Sequence, residues 1–276
     1  MNYFNTQMGF GTANLGNSRD PDLWRSDKSA MRYAIDIGYK VFDTAEMYGD
    51  GKSETMLGEA LRESGKRDQV HIVTKVLPDN ATTYEGIIKA CQDSIKRLDC
   101  DFIDTYLLHW RRPDDLALQP IIEAFLYLKS SGLIKNYGVS NFRKRWIEEW
   151  QTIENRLKVP STIVTNQVHY SVNHRDVEKY YMDWQAENNI TTMAYSPLNN
   201  ERNQLLTNPQ YQKIAQEHGY DLAQLAIAWC IRRPDVTVIP MSSKPTNILN
   251  NFRAASIKLT PDVLLALGKE FPIIYD

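Results

Sequence analysis

The sequence predicts an α/β fold, a (β/α)8 TIM barrel that runs as a single domain over residues 1–276. Three observations predict it. Short apolar or β-branched runs recur along the chain, amphipathic segments separate them, and most run-to-run spacings are close to one βα unit of about 30 residues. Strands alternating with helices imply parallel strands joined by crossover helices. Eight such units match a closed barrel better than an open sheet, which more often has fewer strands and a glycine-rich first turn. No G-x-G-x-x-G follows any run, so the usual dinucleotide-binding sheet is disfavoured.

In chain order the runs are MGFGT (8–12), YKVFDTA (39–45), VHIVTK (70–75), FIDTYLLH (102–109), NYGVS (136–140), TIVTNQV (162–168), ITTMAYS (190–196) and VTVIP (236–240). Between the second and third, residues 53–64 place Met56, Leu57, Ala60 and Leu61 on one helical face and stop at Gly65, a natural C′ residue. Between the third and fourth, residues 83–98 stack Ile87, Ile88, Cys91, Ile95 and Leu98, and Thr82 with Glu85 has capping-box spacing. The interval from Tyr195 to Pro240 is longer and holds two helices. Asn208-Pro209 opens the first, and residues 221–231, apolar almost all round, make the second a well-buried one. Thr260-Pro261 opens a last helix in the same way.

Composition narrows the function. Hydrophobic residues make up 42% and charged residues 24%, with a formal net charge of -2. That balance is ordinary for a globular protein and offers no bulk field for nucleic acid or anionic lipid. The segment MNYFNTQMGFG has neither the basic nor the apolar region of a signal peptide. No stretch approaches the roughly 18 apolar residues of a membrane span. Cys91, Cys100 and Cys230 are scattered and form no C-x-x-C pair, so neither a disulfide framework nor a metal site is expected. A cytoplasmic monomer with reduced thiols is the simplest reading.

In a barrel of this kind, function gathers at the C-terminal ends of the strands. Those ends carry Asp43, Lys75, His109, Ser140-Asn141, Gln167, Tyr195-Ser196 and Pro240 onward. Each polar residue alone could merely end a strand. An acid, a lysine and a histidine closing three successive strands ask for a common chemistry, and carbonyl reduction supplies one. Hydride arriving at a carbonyl carbon puts negative charge on oxygen, which needs a proton and hydrogen-bond donors. Tyr48 can be the acid, although a free phenol has a pKa of about 10. A neighbouring ammonium would lower it by about one to three units. Lys75 would supply that ammonium, Asp43 would hold it protonated, and His109 would orient the substrate oxygen. A competing use of Lys75 is a Schiff base, as in an aldolase, which leaves Ser140, Asn141, Gln167 and Tyr195 without a role.

Eight blocks in order, GFGT (9–12), FDTAEMYG (42–49), VTK (73–75), LLHW (107–110), GVSNF (138–142), TNQVHY (165–170), AYSPL (194–198) and IPMSSKPTNILNN (239–251), make the chain resemble the aldo-keto reductase superfamily along nearly its whole length. The resemblance implies an NAD(P)H-dependent oxidoreductase with Asp43, Tyr48, Lys75 and His109 as its catalytic set. It implies that Ser140, Asn141 and Gln167 bind the nicotinamide carboxamide and that Tyr195 stacks on the ring. Gly11 and Thr12 would flank the nicotinamide, and Ser196, Pro197 and Leu198 would line the pyrophosphate. Pro240, Met241, Ser242, Ser243, Lys244, Asn247, Asn250 and Asn251 would serve the adenosine end.

The adenosine end departs from the family pattern. NADPH-preferring relatives usually carry a lysine and an arginine where this chain has Met241 and Asn247. Losing one charged hydrogen bond is worth roughly 1.5–3 kcal/mol. Ser242, Ser243 and Lys244 could offset the loss, so a small preference for NADPH over NADH is expected. Trp24, Met47, Trp110 and Phe142 stand near the predicted mouth as a partly aromatic substrate pocket. The chain ends soon after the 260–270 helix, where relatives with bulky substrates carry a longer tail, so small polar carbonyls are expected. The blocks look most like short bacterial members that reduce methylglyoxal, other 2-oxoaldehydes or keto sugars. A cofactor-binding or sensor protein on the same fold is the alternative, and the intact catalytic set argues for turnover.

Overall fold

A computed structural model describes residues 2–112, 117–160, 162–198 and 204–274. Its eight strands are β1 (Phe10–Gly11), β2 (Val41–Asp43), β3 (His71–Val76), β4 (Ile103–Leu108), β5 (Ile134–Ser140), β6 (Ile163–His169), β7 (Thr191–Tyr195) and β8 (Val236–Val238). All pair in parallel, in sequence order, within one sheet. A parallel bridge between Met8 and Val238 brings the first strand back to the last. Gly9 N donates to Val238 O at 2.8 Å and Gly11 N to Pro240 O at 3.1 Å, continuing that seam to the barrel mouth.

The helices are α1 (Pro21–Ile37), α2 (Lys52–Ser64), α3 (Tyr84–Leu98), α4 (Leu118–Ser130), α5 (Lys144–Arg156), α6 (Asp176–Tyr180), α7 (Met182–Glu187), α8 (Pro209–Glu217), α9 (Leu222–Cys230), α10 (Pro245–Arg253) and α11 (Pro261–Glu270). Gly65 ends α2 in the left-handed conformation, returning its N–H to Leu61 and Arg62 carbonyls, as the sequence predicts. Asn208 caps α8 through Tyr211 N, with Pro209 at the first helical position. The cap of α3 is Thr83, whose hydroxyl accepts from Gly86 N at 3.0 Å, and not Thr82. Two adjacent threonines compete there, and Thr83 is the one that reaches a free N–H of the first turn. No described helix is long and apolar enough to cross a membrane.

Two apolar clusters build the core. The larger lies between the sheet and the helix ring. The smaller fills the barrel, with Val41, Val73, Leu107, Met193 and Ile239 packed over Phe4. Strand side chains alternate in direction with period two. Two residues beyond those five inward positions come Asp43, Lys75, His109, Tyr195 and Met241. The same alternation that fills the barrel therefore sends these side chains inward one layer higher, at its C-terminal mouth.

Candidate active site

The mouth holds a cavity of about 240 Å³ whose walls include Gly11, Asp43, Met47, Tyr48, His109 and Trp110 on one side. Ser140, Asn141, Gln167, Tyr195, Ser196, Pro197, Leu198, Pro240 and Met241 line it as well. Lys75 lies beneath, fully buried. Its ammonium donates to Asp43 Oδ2 at 2.9 Å, to Thr44 O at 2.7 Å and to the Tyr48 hydroxyl at 3.2 Å. Aspartate, lysine and tyrosine thus form one hydrogen-bonded chain that opens on the cavity at a phenol.

Burial dominates the electrostatics of this chain. Lys75 is held above the ordinary lysine value: desolvation, the largest influence, opposes the charge, and Asp43 and Tyr48 together outweigh it. A Schiff-base lysine needs the opposite shift, and Lys75 does not line the cavity. Tyr48 sits above the ordinary phenol value, contrary to the lowering expected from a neighbouring ammonium. Lys75 does pull it down, but desolvation of the phenolate is larger and wins. His109 is pushed down to about 3, by burial first and Lys75 second, so its imidazole is neutral at physiological pH. Its Nδ1 is buried without a hydrogen-bond partner.

Opposite the tyrosine stands a set of amide and hydroxyl groups. Ser140 Oγ donates to Gln167 O at 3.0 Å. Asn141 Nδ2 donates to His109 O at 3.2 Å, and its Oδ1 accepts from the Tyr195 hydroxyl at 2.9 Å. Gln167 Nε2 donates to Asp43 Oδ1 at 2.7 Å, joining this wall to the Asp43–Lys75–Tyr48 chain. Asn141 and Ser196 have left-handed φ of 59° and 50°, a conformation that costs a non-glycine residue roughly 1–2 kcal/mol. Tyr195 stacks on His169 at 5.5 Å and 17°, and His169 stacks on His174 at 3.8 Å and 12°.

Several sequence-predicted residues lie elsewhere. Thr12 is buried behind the cavity, where its hydroxyl accepts from Ser53 Oγ at 2.8 Å. Phe142 is fully buried against Trp146 and Trp150, because the left-handed Asn141 turns the chain outward and breaks the strand alternation. Trp24 sits in the first turn of α1, where Asp20 and Pro21 start a helix, and lines a separate shallow pocket with Pro21 and Lys52. Ser242, Ser243, Lys244, Asn247, Asn250 and Asn251 fall at and along α10, outside the cavity wall. Ala13, Asn14 and Ile239 line the cavity without having been singled out; Ile239 follows from strand alternation, and the other two from lying just past β1.

Comparison with known proteins gives the same picture. The sequence profile of the Aldo/keto reductase family matches residues 7–268. Methylglyoxal reductase YeaE of Escherichia coli K12 is 35% identical over 96% of this chain and 90% of its own. Methylglyoxal reductase DkgA of Yersinia pestis is 30% identical over 87% and 82%. A crystal structure of an aldo/keto reductase from Klebsiella pneumoniae, in complex with NADP and acetate, superposes with a TM-score of 0.87 at 34% identity, covering 96% of this chain and 91% of that one. With the profile match spanning almost the whole barrel and relatives of this likeness, the chain is an oxidoreductase of the aldo/keto reductase family.

Proposed function

We propose that the protein reduces small aldehydes and ketones to alcohols with NADP(H), 2-oxoaldehydes such as methylglyoxal and keto sugars being its substrate class. The observation that carries this reading is the Asp43–Lys75–Tyr48 chain ending at a cavity that His109 also lines. The wall of the cavity suits a nicotinamide. Ser140, Asn141 and Gln167 offer the donors and acceptors a carboxamide needs, and Tyr195 offers a ring face. A nicotinamide bound there in its reduced form supplies a hydride to the carbonyl carbon.

The chain's own residues do the rest. Tyr48, protonated well past neutral pH, donates its proton to the developing alkoxide. Lys75, held charged by Asp43, stabilises the phenolate left behind. Neutral His109 offers an N–H to the carbonyl oxygen and aligns it with Tyr48, whose ring centroid lies 6.0 Å from its own. Trp110 and Met47 give the mouth an apolar face.

Relatives whose crystals hold NADP or NADPH support a phosphorylated cofactor. Met241 and Asn247 provide no charge for its 2′-phosphate, which leaves Lys244 with Ser242 and Ser243. The preference over NADH is accordingly small, and a thousandfold NADPH advantage in KM under equal conditions would contradict it. We place the protein in the cytoplasm as a monomer. The deciding experiment follows oxidation of NADPH and NADH with methylglyoxal in wild type and Tyr48→Phe. Turnover that collapses in the variant while cofactor binding survives supports the reading. Absence of cofactor binding in the wild type would sink it.

A further inference from the structure

The turn that carries Tyr48 is tied down by a side chain that no step of the reduction uses. After β2 the chain continues alongside β3, with Thr44 N donating to Val73 O at 2.8 Å and Glu46 N to Lys75 O at 3.4 Å. A parallel ladder carried one step further would hand the Leu77 N–H to the Glu46 carbonyl. The chain turns instead, closed by Tyr48 N on Ala45 O at 3.0 Å, and the Glu46 side chain takes over. Its Oε1 accepts from Leu77 N, and its Oε2 accepts from Asn80 Nδ2 at 3.0 Å. One carboxylate thus fastens the tyrosine turn to the segment that leaves β3 just beyond Lys75.

This fastening is more than packing. Glu46 is 9% exposed, and both of its hydrogen-bond donors are neutral. The nearby Arg97 is paired with Glu54 at 2.6 Å, and Glu54 itself opposes a charge on Glu46. Burial of a carboxylate on such terms costs stability, so local stability alone asks for an uncharged residue. A residue kept against that cost marks a place where function sets the choice. Met47 and Tyr48 line the catalytic cavity while Glu46 lies behind it, out of reach of a substrate. Past Tyr48 the chain runs through Gly49, Asp50 and Gly51, with left-handed φ of 60°, 55° and 83°. A strand cannot continue through such a run, so the fastening of the tyrosine to β3 comes from the residues before it.

We infer that Glu46 is a positioning residue for the acid of the proposed reduction: its two hydrogen bonds hold the Tyr48 turn against β3 and so fix the phenol within reach of Lys75. The inference rests on Tyr48 being that acid. The phenol oxygen lies 3.2 Å from Lys75 Nζ, and misplacing such a group by about 1 Å costs up to about a hundredfold in rate.

The test measures kcat and KM for methylglyoxal, NADPH affinity and the thermal midpoint in Glu46→Ala, Glu46→Gln, Asn80→Ala, Tyr48→Phe and the double variant Glu46→Ala/Tyr48→Phe. Glu46→Ala should lower kcat roughly 10- to 100-fold and leave KM and NADPH affinity within about threefold. Glu46→Gln should stay within about fivefold of wild type, because glutamine accepts from Leu77 N and a turned Asn80 amide receives its N–H. Asn80 is exposed, so Asn80→Ala keeps the fold and should lower kcat several-fold in the same pattern. On the Tyr48→Phe background, followed in single turnovers with enzyme in excess, Glu46→Ala should change the residual rate by less than about twofold. A residue that acts through Tyr48 has nothing left to position there.

Glu46→Ala and Asn80→Ala both within threefold of wild type in kcat would overturn the inference, as would a loss confined to KM. A Glu46→Gln enzyme as slow as Glu46→Ala overturns it too, by putting the effect in the charge. The full Glu46→Ala loss repeated on the Tyr48→Phe background does the same, by putting the effect in the fold at large. If Glu46→Ala does not fold, Asn80→Ala and its double variant with Tyr48→Phe decide on the same terms. Wild-type turnover that survives Tyr48→Phe sinks the proposed reduction itself, a result distinct from all of these.

Discussion

Replacing Lys75 with methionine tests the proton-transfer chain at its centre. The substitution keeps the stem that fills the space under the cavity and removes the buried ammonium with its three hydrogen bonds. At 3.2 Å from the Tyr48 oxygen, a unit charge in an effective dielectric of about 20 stabilises a full phenolate by about 5 kcal/mol. A transition state with the proton half transferred feels about half of that, or ~2.5 kcal/mol, which lowers kcat roughly 70-fold. The same change strands Asp43, which burial already pushes upward, so Asp43 takes up a proton in the variant. Steady-state kinetics with methylglyoxal, a thermal melt and a cofactor titration report the three consequences. A folded Lys75→Met enzyme that binds NADPH normally and turns over within threefold of wild type would refute the chain.

Two further outcomes follow from burial. His71 and His109 are both held well below the ordinary histidine value, at about 4 and about 3, mainly by desolvation. A depressed pKa contributes stability that is complete above about pH 6.5 and lost as pH falls toward the folded value, on the order of 2–3 kcal/mol per histidine by pH 4.5. The urea midpoint should therefore drop more steeply with acid in wild type than in His71→Gln, and parallel curves would exclude this account. At Gly138, an added Cβ would sit 2.5 Å from Thr165 O and 2.8 Å from its Cγ2. Overpacking of this kind costs about 1–3 kcal/mol, so Gly138→Ala should melt roughly 2–12 °C lower by calorimetry, and an unchanged midpoint would show that β5 and β6 can part.

Much of the barrel is legible in the sequence because its strands are apolar and its turns punctuated. All eight runs become strands, including β1, which keeps only Phe10–Gly11 in regular pairing. The acid, lysine and histidine were legible as strand ends, and the period of two explains why they face inward. That reasoning stops where the strand stops. Phe142 lies beyond the turn at Asn141, so its direction follows a dihedral angle that the sequence does not display. Trp24 carried a usable signal, since Asp20-Pro21 starts α1 in the way Asn208-Pro209 starts α8. The upward shift of Tyr48 was not legible at all. Its sign depends on how far burial outweighs one ammonium, a balance set by the packing of several strands together.

Asp43 faces two ways. One carboxylate oxygen receives Lys75, and the other receives the side-chain amide of Gln167 from across the barrel. The Lys75–Tyr48 chain and the wall that carries Gln167 are therefore halves of a single circuit joined at one charge. An occupant that draws the Gln167 amide toward itself takes a donor from Asp43, tightens that carboxylate on Lys75, and so reaches the phenol two links away. The Tyr48 hydroxyl is thus linked to the Gln167 amide through hydrogen bonds alone, with no strand or loop obliged to move.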